Sequence, residues 1–196
     1  MPDGHTTTTH DLLPAQFGLW ALGRLQGDDR ASLRSDLIRI AGPLDPARFH
    51  LALSRAVAEA DGLRLHVRLR ERHAELHALP FSGVALERID LTAAAAPMEA
   101  ALVWFVGQCD RPVAADAAVP YRFALIKLGP KMHLWARFVT QIAVDRPGRQ
   151  ALTRRVRAHL AALKAGGAAP SPPPGWQACA QPFRAAAEGR QYQTGA

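Results

Sequence analysis

The chain reads as an α/β protein, a mixed sheet with helices packed on it. Three observations predict this. Runs with an apolar residue at every second position alternate with runs whose apolar residues recur at every third or fourth. Gly129-Pro130 joins two of the alternating runs as a hairpin turn does. The chain has 196 residues and 48% apolar content, enough for one domain with a sizeable core.

Residues 1–10 are polar and are expected to be a flexible N-terminus. Residues 12–26 place Leu12, Ala15, Leu19 and Leu22 on one side of a helix with Trp20 adjacent, and Pro14 fits its first turn. Leu33 to Ile40 alternates as a strand. Asp45 then caps a helix that has Pro46 at its first position, where the missing N–H costs nothing. Phe49, Leu53, Val57 and Ala60 form its buried stripe, and Gly62 is placed to end it. Leu63–Leu69, Ala74–Leu79 and Val84–Leu91 are extended, with Glu71-Arg72-His73 as a hairpin connection. Ala93–Gln108 is helical, with Leu102, Phe105, Val106 and Cys109 apolar. Tyr121–Leu128 and 131–139 form the hairpin around Gly129-Pro130. Arg149–Lys164 is the last long helix, with Leu152, Val156, Leu160 and Leu163 as its buried stripe. The order is α β α β β β α β β α. Residues 166–175, rich in proline and glycine, read as an extended linker, and 176–196 as a short C-terminal helix or tail.

The formal net charge is +7 and the isoelectric point is near 10.4, mostly from arginine. This favours an acidic partner. A nucleic-acid partner is disfavoured, because the basic residues are spread out and no aromatic-interleaved basic strand appears. A GC-rich genome explains the arginine and alanine equally well. No apolar run reaches the roughly 18 residues of a membrane span. The N-terminus has neither the basic start nor the apolar core of a secretory signal. Cys109 and Cys179 form no CxxC pair, which suits a reducing, cytoplasmic setting.

Lys131 to Gly148 draws attention as a candidate site. Its strand alternates Met132, Leu134, Ala136 and Phe138 against Lys131, His133, Trp135 and Arg137, so one face is expected to be buried. The loop Thr140–Arg146 then lies between a strand and a helix, where a scaffold can hold a reactive group. Yet it contains no His, Cys or Ser, and its only charged members are Asp145 and Arg146. His133 reads as a half-buried strand histidine rather than a substitute base. His66, His73 and His77 flank a turn that can bring two of them together, but no carboxylate or cysteine completes a metal-like set, so no metal is expected. Arg149, Arg154, Arg155 and Arg157 make a basic helix face, read as solvated or as a landing site for an acidic carrier.

Four patches together resemble the N-terminal half of a nonribosomal peptide synthetase condensation domain, within the chloramphenicol-acetyltransferase-like superfamily. Leu13-Pro14-Ala15-Gln16-Phe17-Gly18-Leu19-Trp20 is similar to the family's opening motif. Leu63-Arg64 resembles the Leu-Arg of the next. Cys109-Asp110-Arg111-Pro112 and Val119-Pro120-Tyr121-Arg122 resemble the region leading into the hairpin. The loop at 140–146 falls where the family has His-His-x-x-x-Asp-Gly. The resemblance covers residues 11–196 and implies a two-layer sandwich forming one wall of a reaction channel, with 11–165 as the domain half.

The departures bear on function. The family's two histidines are Thr140 and Gln141 here, and its glycine is Arg146. A glutamine cannot take a proton near pH 7 as imidazole can, although it can hydrogen-bond an oxyanion. Asp145, by resemblance, pairs with Arg64 as a scaffold ion pair. The expectation is a truncated, catalytically inactive module in nonribosomal peptide biosynthesis, structural or docking in role. Its expected partner is a peptidyl or acyl carrier protein or a neighbouring synthetase module, and a homodimer would cover the half-channel. No cofactor is expected beyond the phosphopantetheine arm of a carrier. The alternatives are acyl transfer completed by a partner chain, and basic nucleic-acid binding.

Overall fold

The structure is a computed structural model, and it describes residues 9–27, 32–70, 73–111, 113 and 119–172. The expected tail at 176–196 and most of the expected flexible N-terminus lie outside the described residues. The elements run β1 (Thr9–Asp11), α1 (Pro14–Gln26), β2 (Leu33–Ala41), α2 (Pro46–Ala58), a 3-10 turn (Asp61–Arg64), β3 (Leu65–Arg70), β4 (His73–Ala78), β5 (Leu86–Asp90), α3 (Pro97–Cys109), β6 (Tyr121–Gly129), β7 (Met132–Thr140) and α4 (Arg146–Ala165). The order matches the sequence reading, with one addition. Thr9–Asp11, inside and beside the stretch expected to be flexible, pairs antiparallel with β4.

Two sheets form. One has the order β1-β4-β3; the other has the order β2-β7-β6-β5. In the larger sheet β2, β7 and β6 are antiparallel, and β5 runs parallel to β6, which makes the sheet mixed. Helices α2 and α4 cover one face of it. Phe49, Leu53 and Val57 of α2 and Leu152 and Val156 of α4 close there over Tyr121, Phe123, Leu125, Trp135 and Val139. Trp135 meets Phe49 edge-on, with ring centroids 5.5 Å apart. The other face carries α3, whose Ala101, Trp104 and Phe105 pack on Ile126, Leu134 and Phe138.

Several details differ from the sequence reading. β7 is buried on both faces, not one: His133, Trp135 and Arg137 are as enclosed as Leu134, Ala136 and Phe138. A central strand with helices on both sides has no wet face, so its alternation of polar and apolar residues carries no information about exposure. α2 stops at Ala58 with Glu59 as its C-cap, and Gly62 belongs to the following 3-10 turn. On α3, where the sequence reading named apolar residues without choosing an inner face, Leu102 and Val106 point outward while Ala101 is fully buried. That helix is apolar nearly all round, so periodicity could not choose its inner face. Leu12, before α1, and Leu19 and Trp20 on it pack on the small sheet, whereas Leu22 is exposed. α4 begins three residues earlier than expected, directly after Asp145.

Leu53 is 0% exposed at the centre of the α2–α4 layer. Leu53→Ala should cost about 2–5 kcal/mol, measured as a fall in the urea midpoint at unchanged slope.

Candidate functional site

The site is the short connection between β7 and α4, residues 141–145. Its entry is fixed by backbone bonds: Thr140 N–H donates to the Pro120 carbonyl at 3.1 Å and Gln141 N–H to the Ser32 carbonyl at 2.7 Å. The turn then closes on itself, with the N–H groups of Ala143 and Val144 both donating to the Thr140 carbonyl. Thr140 is buried, and its hydroxyl donates to Ser32 Oγ at 3.2 Å. Ile142 inserts into the cluster of Leu65, Val67 and Leu76 beneath α1.

Two residues to which the sequence reading gave no role in the loop hold this connection. Gln16 lies in the first turn of α1. Its Oε1 accepts from Leu13 N–H at 2.9 Å, and its Nε2 donates to the Ile142 carbonyl at 2.8 Å. The signal was present in the Ala15-Gln16 pair of the opening motif, but its partner, more than a hundred residues away, was not. Gly62 is the other. A Cβ there would sit 2.7 Å from the Ala143 carbonyl oxygen, so the 3-10 turn can approach the loop only without a side chain.

The expected pair between Arg64 and Asp145 does not form. Arg64 pairs with Asp61 and also donates to the Leu79 carbonyl at 3.1 Å. Asp145 is the N-cap of α4 and accepts from Gly148 N–H at 2.8 Å. Both carboxylates have local partners. Asp61 sits three residues from Arg64 in the same turn, and a helix N-terminus offers unpaired N–H groups to any aspartate placed before it. A Cβ at Gly148 would meet Val144 Cγ1 at 2.7 Å and the capping Asp145 Oδ1 at 3.1 Å.

Arg146, the first residue of α4, is exposed. Gln141 is half-buried, and its Oε1 is buried with no hydrogen-bond partner among the described residues. The loop therefore brings together Thr140, Gln141 and Asp145, and it holds no imidazole or thiol. His133 does not compensate. It lies eight residues from Gln141 along an extended strand, roughly 25 Å at the rise of a β-strand. It is also buried, and burial together with the nearby Lys127 charge holds its pKa below the ordinary histidine value.

The basic face of α4 is divided. Arg149 donates to Asp36 Oδ2 at 2.9 Å, and that same oxygen accepts from Arg137 at 3.1 Å. Arg137 also bonds the Arg149 carbonyl and the Thr153 hydroxyl, and it stands over the Trp135 ring. Arg155 pairs with Glu59 and donates to the Ser171 carbonyl at 2.7 Å, while the buried His159 lies 3.0 Å from Glu59. Burial raises the Glu59 pKa, but hydrogen bonds from Arg155 and His159 outweigh it and leave the carboxyl below its ordinary value. Arg154 and Arg157 are exposed. On the small sheet, His66 and His77 are direct cross-strand partners, as the hairpin reading allowed. No group of three or more metal-ligating side chains occurs among the described residues. No helix among them is long and apolar enough to cross a membrane.

This architecture is the mixed α/β fold of condensation domains. Over 164 residues the chain is 33% identical to an isonitrile lipopeptide synthase of Streptomyces coeruleorubidus, matching 83% of this chain and 11% of that protein. It is 30% identical over 164 residues to a dimodular nonribosomal peptide synthase of Bacillus subtilis (strain 168), covering 7% of it. Among solved structures it superposes on the starter condensation domain of rhizomide synthetase RzmA with a TM-score of 0.81 at 28% identity, covering 95% of this chain and 46% of that one. The first condensation domain of the calcium-dependent antibiotic synthetase, in complex with substrate analogue 2a, gives 0.83 at 26% identity, covering 97% and 44%. No family model matches. The homologues are thus nonribosomal peptide synthetases, and the chain has the fold of about half of a condensation domain. It spans a tenth or so of the curated relatives and less than half of the solved domains.

Two predictions follow from the geometry. Gly62→Ala should destabilise the chain by about 1–3 kcal/mol and shift the amide signals of 141–145 most strongly, because the Ala143 carbonyl must move. His133 bears on acid stability. Its folded pKa is lowered, so the unfolded chain binds the proton more readily, and stability falls as pH drops below the ordinary value of 6.5. Urea unfolding between pH 7 and 5.5 should show a shallower decline for His133→Leu than for the parent chain.

Proposed function

We propose that this chain is a catalytically silent condensation-domain-like module of nonribosomal peptide biosynthesis, acting as a structural or docking element. Its partner is a carrier protein or a neighbouring synthetase module. The observation that carries this reading is Gln141 at the end of β7. There the resemblance places a histidine, and the nearest imidazole on the same strand is buried and remote. Without an imidazole in this loop, the attacking amine of an amide-forming step lacks the base that the resemblance would supply there. The neighbouring groups serve the scaffold: Thr140 bonds Ser32, and Asp145 caps α4. Of the four arginines expected to meet an acidic carrier, Arg154 and Arg157 are the two that remain outward.

The unpartnered Oε1 of Gln141 favours a second reading, acyl transfer completed by a partner chain in which this amide bonds the substrate. One experiment separates the two. The chain is mixed with an acyl-loaded donor carrier, an aminoacyl-loaded acceptor carrier and the complementary half of a homologous condensation domain, and amide product is followed by mass spectrometry. The silent-module reading expects no amide, none after Gln141→His, and carrier binding that weakens in an Arg154→Glu, Arg157→Glu variant. Amide formation reduced by Gln141→Ala would replace it with the second reading. Absence of both amide and carrier binding would reject the docking role.

A further inference from the structure

A cleft of about 660 Å³ lies between the C-terminal end of α3 and the N-terminal end of β6, beside the end of β7 from which the β7–α4 loop departs. The sheet itself creates it. β5 pairs with β6 only from Phe123 onward, so Tyr121 and Arg122 have β7 on one side and no β5 residue opposite them on the other. Its lining includes Trp104, Tyr121, Phe123 and Phe138. A volume of this size lies within the range of about 300–1,000 Å³ typical of small-molecule sites.

The charge in the cleft is unbalanced. Arg111 and Arg122 both line it. Arg122 donates to the Gln108 side chain at 2.9 Å and to the carbonyls of Gln108 and Arg111 at 3.0 and 2.6 Å, and its guanidinium stands 4.8 Å over the Phe138 ring. All of these partners are neutral. Its Nε is buried and has no hydrogen-bond partner among the described residues. Arg111 also donates to the Gln108 side chain, at 3.0 Å. Glu87 is the acid among the described lining residues; its charge attracts Arg122, although no ion pair joins it to either arginine. Burial, then repulsion from Arg111, pulls the Arg122 pKa below its ordinary value. Two like charges converge on one neutral amide in a partly desolvated, aromatic setting. That arrangement costs free energy unless a counter-charge offsets it.

We infer that this cleft binds a small organic anion, an aromatic or alkyl body carrying a carboxylate, with Arg111 facing the carboxylate, the Arg122 charge beside it adding to the attraction, and the aromatic residues of the lining holding the body. The inference does not rest on the module being silent.

The test is a titration of the full chain with phenylbutyrate, its neutral counterpart phenylbutanol and its cationic counterpart phenylbutylamine. It is read by calorimetry and by the indole N–H signal of Trp104, assigned through Trp104→Phe. Phenylbutyrate should bind saturably, move the Trp104 signal, and bind about tenfold tighter than the alcohol, the scale of one hydrogen bond to a charged group. The amine should bind more weakly than the alcohol. Arg111→Gln, at an exposed position, should abolish the preference for the acid over the alcohol, and Glu87→Gln should strengthen it. An unmoved Trp104 signal, equal affinity for acid and alcohol, or a preference that survives Arg111→Gln would each overturn the inference.

Discussion

One carboxylate oxygen, Asp36 Oδ2, receives hydrogen bonds from both Arg137 and Arg149. Asp36 lies on β2, Arg137 directly opposite it on β7, and Arg149 in the first turn of α4. The carboxylate therefore ties the helix after the site loop to the strand before it. Because Arg137 is almost wholly enclosed, removing Asp36 would leave a buried charge exposed to its own desolvation cost. The five-residue connection between β7 and α4 is short because both of its ends are anchored in this way. Gln16 and Gly62 then set its path from the other side.

The same inward pull reshapes the electrostatics of the chain. A net charge of +7 suggests a broadly basic surface. In the fold, Arg64, Arg122, Arg137, Arg149 and Arg155 all bond to groups of the protein itself. Arginine suits this use, since its planar fork can satisfy several acceptors at once. The Glu59–Arg155–His159 group shows the result. It links the end of α2 to the middle of α4 and reaches the proline-rich segment through the Pro170 and Ser171 carbonyls. The described part of the extended linker expected at 166–175 is thus bonded to α4 through Pro170 and Ser171.

Much of the fold was legible because its signals are local. Asp45-Pro46 marked the start of α2, the spacing of Phe49, Leu53 and Val57 gave its buried face, and Gly129-Pro130 placed the hairpin. The site was legible in part. The motif order located the loop and exposed its lack of a histidine. The Arg64–Asp145 pair was misassigned because an aspartate three residues before an arginine, and a helix start immediately after an aspartate, are both stronger local attractions than a distant partner. Thr9–Asp11 was missed because a three-residue edge strand has no periodicity to read.

By itself the sequence determined the element types, their order, and the chemistry missing from the loop, since these depend on residue identity and on spacings of two to four. The tertiary structure alone decided that β7 is buried on both faces, that α3 turns Ala101 rather than Leu102 inward, that Gln16 holds the Ile142 carbonyl, and which arginines of α4 remain outward. Each of these depends on what lies across the sheet or on a contact between residues far apart in the chain. A helix apolar on every side, or a strand flanked by two neighbours, has several faces of equal local merit, and only packing chooses among them.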